Sequence, residues 1–198
     1  LIHTTKRMIA DTIQVSEIRR LVRLLGPDAD PRSEDALAEL LACYPVYRSY
    51  LPAGMQWLNQ AVAEAAARRP ELVEVFATLV PILTHTSLEI SHRFQQTTGP
   101  VMAKGAEDTA FYRMTRLGTL TEVGGDPSVF ALTTQGFHEA FTRRQAEWPL
   151  SMTSLSTHDT KRGEDVRARL SVLAEVADQW AEVLGEVRSI ASTGHGPF

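Results

Sequence analysis

The sequence is poor in three features, and each scarcity excludes a class of protein. Only one of its 198 residues is a cysteine, Cys43, which excludes an internal disulfide and any cysteine-based zinc site. No apolar run reaches the roughly 20 residues of a membrane span, and no signal-peptide pattern opens the chain. The 20 basic residues are outnumbered by 24 acidic ones, with mixed signs and a net charge of −4, whereas a nucleic-acid surface needs a concentrated basic face. We therefore expect a cytoplasmic protein with no nucleic-acid or membrane partner, and we interpret Cys43 as a core residue.

The first half of the chain is rich in apolar residues at helical spacing. Steps of three and four predict amphipathic helices over residues 6–25, 33–44, 56–69 and 70–95, with a kink or break at Pro81. Ser33 is expected to cap the second of these helices, and 46–51 is expected to be strand or extended. Residues 1–96 are thus predicted to form a helical bundle subdomain.

The pattern changes at the turn cluster Thr97-Thr98-Gly99-Pro100. We expect a short strand from Val101 to Ala103, then a charged loop and a helical turn that carry Lys104, Glu107 and Tyr112. Gly124 to Pro127 is expected to be a loop, and Thr133 is one of two candidates to cap a helix that ends near Glu147.

The stretch from Ser156 to Arg169 carries most of the functional signal. The run from Leu150 to Thr157 suits a short buried strand, and the apolar spacing from Val166 to Val187 predicts a long helix. His158 and Asp159 would then lie in a loop at the carboxyl end of a strand, where α/β proteins place their chemistry. Two strand–helix units in this order predict a βαβα unit over residues 97–198, with both charged loops on one edge.

Each candidate site also has an ordinary structural interpretation. The carboxylate of Asp159 could cap the following helix, and residues 104–108 could be a solvated turn. His85, Glu89 and His92, together with His158-Asp159, allow a metal-site hypothesis of the His-Asp phosphohydrolase kind, but there the doublet normally lies within helices. A helical binding or interaction module without chemistry of its own is the alternative function. Paired carboxylates near cations and aromatic residues, by contrast, suit glycosyl transfer, in which an oxocarbenium-like charge develops.

Two stretches together resemble the malto-oligosyltrehalose synthases of the α-amylase superfamily of glycoside hydrolases. They run from Phe94 to Arg113 and from Ser156 to Arg169, and Glu122-Val123-Gly124-Gly125-Asp126-Pro127 between them also fits. The resemblance covers roughly residues 94–170, while the helical first half fits the family's inserted helical subdomain more loosely.

The resemblance implies an enzyme that isomerises the reducing-end α-1,4 bond of a maltooligosaccharide to α-1,1, without a cofactor or a metal. In that family a (β/α)8 barrel carries a nucleophile, a general acid/base and a third carboxylate that stabilises the transition state. The third is matched here by Asp159, and His158 would hydrogen-bond the same sugar. The resemblance also implies a set of residues that line the neighbouring subsites: Lys104, Glu107, Tyr112, Lys161 and Arg162.

The motifs of the nucleophile and the acid/base are absent from this chain. We therefore expect a mainly α segment of such an enzyme, with residues 1–96 as the helical insertion and 97–198 as a small βαβα portion of an incomplete (β/α)8 barrel. Its expected partners are a maltooligosaccharide and the remainder of the parent barrel, and alone it is expected to be inactive.

Overall fold

The computed structural model describes residues 1–114, 116–157 and 159–193 of the chain. It divides into two compact units, Leu1–Arg113 and Met114–Phe198, called the first and second unit below. The described residues are helical or irregular, and none of them lies in a β-strand. Within this part of the chain, no single helix is long and apolar enough to cross a membrane, although two helical stretches joined at a bend of 103° pass the same test together.

The first unit is a helical body built around one central helix. Its helices are α1 (Ile2–Asp11), α2 (Val15–Leu25), α3 (Ser33–Cys43), α4 (Met55–Arg68), α5 (Val73–Thr84), which follows a 3-10 turn, α6 (Glu89–Met102), a π-helix (Ala103–Ala110) and the short α7 (Phe111–Arg113). Helix α3 is buried along nearly its whole circumference, including the side chain of Glu39. The apolar core contains residues of α1 to α6, so the predicted helical bundle is confirmed.

In its described residues, the second unit consists of three α-helices and a 3-10 turn, and long irregular segments separate some of them. These elements are a 3-10 turn (Gly118–Leu120), α8 (Thr134–Glu147), α9 (Glu164–Val172) and α10 (Ala177–Thr193). The side-chain oxygen of Thr133 accepts a hydrogen bond from the amide of Gly136 at 3.0 Å, so one of the two caps considered for α8 is confirmed. The helix predicted from Val166 to Val187 is instead divided between α9 and α10.

The predicted βαβα portion of a barrel is wrong. Residues 97–103 lie in a continuous helix rather than in a turn and a strand, although Gly99 and Pro100 interrupt the helical pattern. A proline inside a helix costs about 3 kcal/mol, whereas fully burying one large apolar side chain contributes roughly 1.5–3 kcal/mol. Phe94 and Val101 are both fully buried. Burial on the core therefore outweighs the local turn signal.

The predicted strand over residues 150–157 is likewise absent. These residues are irregular, and Leu150 is 96% exposed rather than buried. A strand needs a neighbour that takes up its backbone hydrogen bonds. The neighbour predicted for it, Val101 to Ala103, is helical, so this pairing cannot form.

Pro81 does not break its helix either. It lies inside α5, and the break comes at residues 85–88, before α6. His85 therefore lies outside the helix that carries Glu89 and His92, and the three do not share one helical face.

Candidate functional site

The loop that carries Asp159 precedes α9 in the second unit. We call residues 156–163 the Asp159 loop; His158 lies outside the described residues. A tight turn shapes it, because the amide of Thr157 donates to the hydroxyl of Thr160 at 2.6 Å and the amide of Thr160 donates to the carbonyl of Thr157 at 3.2 Å. The side chain of Asp159 is therefore carried on a turn of defined shape.

Asp159 and Lys161 form an ion pair in which the two partners differ in exposure. The Lys161 Nζ lies 3.4 Å from Asp159 Oδ1, and the lysine side chain is 5% exposed while that of the aspartate is 56% exposed. The Lys161 ammonium group thus lies on the inner side of the loop, and the Asp159 carboxylate faces solvent. An outward carboxylate on a fixed turn can accept hydrogen bonds from sugar hydroxyls and stabilise a nearby positive charge.

Glu122 holds the Asp159 loop in place. Its Oε1 accepts hydrogen bonds from the backbone amides of Lys161 and Val123, both at 3.0 Å. Its Oε2 lies 3.7 Å from the Arg167 guanidinium. Burial alone would raise the pKa of Glu122, but the backbone amides and the charge of Arg167 bring it below its usual value. The group that positions the loop is therefore a carboxylate at neutral pH.

Arg162 reaches back to the segment that leads to Glu122. Its Nη1 donates to the hydroxyl of Thr121 at 3.3 Å, and Thr121 is buried. A Cβ on Gly118 would come within 3.4 Å of the Arg162 Nε and 3.2 Å of Leu170. Arg162 thus packs close to the backbone of Gly118 and fixes the second half of the loop.

The start of α9 is tied to the same loop by polar contacts. The Ser156 hydroxyl donates to the carboxylate of Glu164, and Arg167 donates to the carbonyl of Leu155. The bond from Ser156 lowers the pKa of Glu164, with the charge of Arg167 acting in the same direction. A carboxylate in the first turn also suits the helix dipole.

The other predicted site residues lie on a helical segment of the first unit, residues 103–113, which we call the Lys104 segment. The Lys104 Nζ pairs with Asp108 Oδ2 at 2.7 Å, one turn along, and the Thr109 hydroxyl donates to the carbonyl of Lys104 at 2.7 Å. Tyr112 is exposed. Lys104, on the π-helix, and Tyr112, on α7, therefore present polar groups at the surface. Single π-helical turns are frequent at functional sites.

Glu107, in contrast, faces the interior of the first unit. Its side chain is buried, and its carboxylate accepts a hydrogen bond from the Tyr47 hydroxyl. The same stretch around Tyr47 is held by α6, because the Thr98 hydroxyl donates to the Tyr47 carbonyl at 2.6 Å. Glu107 thus anchors the Lys104 segment to residues 46–51.

The Lys104 segment also lies directly against α1. A Cβ on Gly105 would come within 2.5 Å of the Lys6 Cα, so only glycine fits without a shift of the backbone. Lys6 is itself buried and donates to the carbonyl of Tyr44. Burial lowers its pKa to about 8, although Cys43 and Glu64 act in the opposite direction.

The predicted site residues thus form two groups. Asp159, Lys161 and Arg162 share one loop of the second unit, and Lys104, Glu107 and Tyr112 share one segment of the first unit. Glu122, which the sequence interpretation did not select as a site residue, is the anchor of the first group. Its presence in the stretch Glu122 to Pro127, which also fits the resemblance, was the signal that could have identified it.

No family profile matches the chain, but several known proteins do. A Mycobacterium tuberculosis protein, provisionally named as a maltooligosyl trehalose synthase, is 41% identical over 179 residues, which are 89% of this chain and 23% of that protein. The solved structure of the maltooligosyltrehalose synthase of Arthrobacter ramosus is 50% identical with a TM-score of 0.91, over 96% of this chain and 25% of that one. A Sulfolobus tokodaii protein, described as a hypothetical maltooligosyl trehalose synthase, is 30% identical with a TM-score of 0.71, over 96% of this chain and 24% of its own.

The chain therefore spans about a quarter of the length of the relatives that it matches. The resemblance inferred from its motifs is confirmed, and it extends beyond residues 94–170 to most of the chain.

Proposed function

Because the chain is homologous to a segment of the maltooligosyl trehalose synthases, we propose that it supplies one catalytic carboxylate and part of the sugar-binding surface of such an enzyme. The parent reaction would convert the reducing-end α-1,4 bond of a maltooligosaccharide to α-1,1 within one molecule. The observation that carries this proposal is the outward carboxylate of Asp159 on a loop fixed by Glu122 and Lys161.

Asp159 would stabilise the transition state rather than attack the sugar. An oxocarbenium-like transition state places positive charge on the ring carbon and oxygen, and a carboxylate already fixed nearby lowers its energy without having to reorganise. The ion pair with Lys161, whose side chain is 5% exposed, supports this role, because it restrains the Asp159 carboxylate from the inner side of the loop. His158, which would hydrogen-bond the same glucose, lies outside the described residues, and its role stays a prediction.

The residues predicted for the acceptor-side subsites are proposed for each unit taken by itself. Lys161 and Arg162 belong to the Asp159 loop, and Lys104 and Tyr112 offer an ammonium group and a phenol for sugar hydroxyls and for stacking. Glu107 belongs to the same predicted subsites, and its contact with Tyr47 favours a contribution through the orientation of the Lys104 segment. The proposed chemistry needs no cofactor, since acid, base and electrostatic groups suffice for glycosyl transfer.

The remainder of the longer enzyme would be the partner of the second unit. Large apolar side chains are exposed along α8, α10 and the segment between α8 and α9, among them Phe141, Trp148, Leu150 and Ile190. Exposed apolar surface of this extent marks an interface. The same feature favours the alternative function, a helical interaction module without chemistry, and the cytoplasmic location likewise stays a prediction.

Substitution of Asp159 in the full-length enzyme tests the proposal. Asp159→Asn should lower kcat on maltopentaose by about 100-fold or more, because one preorganised electrostatic group is lost. Asp165→Asn is the matched control, since Asp165 lies in the first turn of the adjacent α9 and should leave kcat within about twofold. Equal effects of the two substitutions would overturn the assignment and favour the interaction module.

A second variant tests how the loop is held. Glu122→Gln keeps the shape of the side chain but removes the charge that faces Arg167 and the loop amides, so kcat should fall by about 10-fold, less than for Asp159→Asn. The isolated chain should convert no maltopentaose at all, because the nucleophile and the acid/base would come from the rest of the enzyme. Measurable trehalosyl product from the isolated chain would contradict this account.

A further inference from the structure

We propose that His3, Glu39 and Cys43 of the first unit form a binding site for a divalent cation of the zinc type. His3 lies in the first turn of α1, and Glu39 and Cys43 lie one turn apart on α3, so the two share one helical face. Imidazole, carboxylate and thiolate are the ligands that Zn²⁺ takes in proteins. Among the described residues, this is the group whose spacing suits an ion.

The three ligand atoms already converge on one point. The His3 Nε2 lies 2.8 Å from Glu39 Oε1, and the Cys43 Sγ lies 3.7 Å from the same oxygen. All three atoms lie within 4.8 Å of one another. Since zinc–ligand bonds measure about 2.0–2.3 Å, an ion between them would reach each ligand with small side-chain adjustments.

The three proposed ligands differ in burial, and this difference indicates the side from which an ion would enter. Glu39 and Cys43 are buried on α3, whereas the His3 side chain is partly exposed. An ion would enter on the His3 side, and solvent there could supply a fourth ligand. Binding would release the thiol proton to solvent, and neutral His3 would bind through an unprotonated Nε2 with its ring proton on Nδ1.

Arg7 pairs with only one of the two carboxylate oxygens of Glu39, so the other oxygen could bind an ion. The Arg7 Nη1 lies 3.0 Å from Glu39 Oε2, but Oε1 faces the other two ligands. The charge of Arg7 is also shared with Asp11 at 2.9 Å and Asp35 at 2.6 Å. Arg7 would therefore orient Glu39 as a ligand instead of occupying the site.

The single cysteine does not preclude such a site. The exclusion of every cysteine-based zinc site from the cysteine count was too broad, because a mixed site needs only one thiolate. The site does not involve the Asp159 loop or the Lys104 segment, so the proposed enzymatic function is not at stake in it.

Zinc and cobalt titrations of the 198-residue chain test the site. The N-terminal amine is acetylated first, so that it is excluded as a ligand beside His3. Calorimetry should detect one Zn²⁺ per chain, and Co²⁺ should give a thiolate-to-cobalt charge-transfer band in the near ultraviolet. A wild-type chain that binds no Zn²⁺, or binds Co²⁺ without that band, would overturn the proposal.

Two ligand variants and one control identify the residues. His3→Ala and Cys43→Ala should each weaken Zn²⁺ binding by at least about 100-fold. His92→Ala, which removes an exposed histidine of α6, should leave it unchanged. Because His3 is partly exposed, His3→Ala should fold even if Cys43→Ala does not, and unchanged affinity in a folded His3→Ala chain would contradict the site.

Discussion

Both units carry apolar residues at helical spacing, but they bury these side chains very differently. In the first unit α1 to α6 enclose a continuous core that includes Leu40, Phe76 and Phe94. In the second unit, among the residues that the structure describes, only Thr121 and Pro127 are buried. Apolar periodicity thus predicts that a helix has an interaction face, but it does not predict which element covers that face. The first unit covers its own faces, and we infer that those of the second unit are covered by the rest of a longer protein.

The largest expected difference between the units is the cost of removing a leucine. Leu40→Ala, at a fully buried position of α3, should lower the free energy of unfolding by about 2–5 kcal/mol, because it leaves a cavity. Leu150→Ala, at a 96% exposed position, should change it by less than about 0.5 kcal/mol. Urea unfolding followed by circular dichroism measures both. A cost for Leu150→Ala that approaches that of Leu40→Ala would remove the contrast.

Two glycine substitutions should change stability by an intermediate amount and in opposite directions in the two units. Gly105→Ala forces a Cβ against the backbone of Lys6 and should destabilise the first unit by about 1–3 kcal/mol. Gly185→Ala, in α10 with nothing within 4 Å of the added Cβ, should stabilise that helix by roughly 0.5–1 kcal/mol. Thermal unfolding of both variants checks the opposite signs. If Gly105→Ala were neutral, the close packing of α1 on the Lys104 segment would be wrong.

The smallest of the three expected contrasts is a pH dependence that belongs to the first unit. The buried Lys6 has a pKa of about 8, whereas an unfolded lysine titrates near 10.4. Between these values the unfolded chain binds more protons, so the contribution of Lys6 to stability rises with pH. From pH 7 to pH 9 the stability of the wild type relative to Lys6→Met should therefore increase by about 1 kcal/mol. A difference that is constant over this range would show that Lys6 is not desolvated in the folded chain.

How far the sequence predicts the structure depends on whether local signals and burial agree. They agree for α3, where the acidic first turn and the apolar stripe indicate the same helix, and at Thr133, which caps α8. They conflict at Gly99 and Pro100, where the local turn signal is strong but burial of the surrounding helix decides the outcome. The strand expected over residues 150–157 failed for a related reason, since its existence depended on the strand expected at Val101.

The candidate site shows the same limit. The functional role proposed for the stretch around Asp159 was predicted from its motif, and the contact between Asp159 and Lys161 is local in sequence. The contact between Glu122 and the Lys161 amide spans 39 positions, and the contact between Tyr47 and Glu107 spans 60. No periodicity or local spacing encodes such pairs, so the residues that orient the site emerge only from the folded chain.

Amide hydrogen exchange, measured on the 198-residue chain and on the longer enzyme that would contain it, tests the central claim most directly. We predict slow exchange for α3 in both proteins, and for α8 and α10 rapid exchange in the isolated chain that becomes slow in the longer enzyme. Protection of α8 and α10 equal to that of α3 in the isolated chain would contradict the claim that the second unit depends on the rest of a longer protein for its stability.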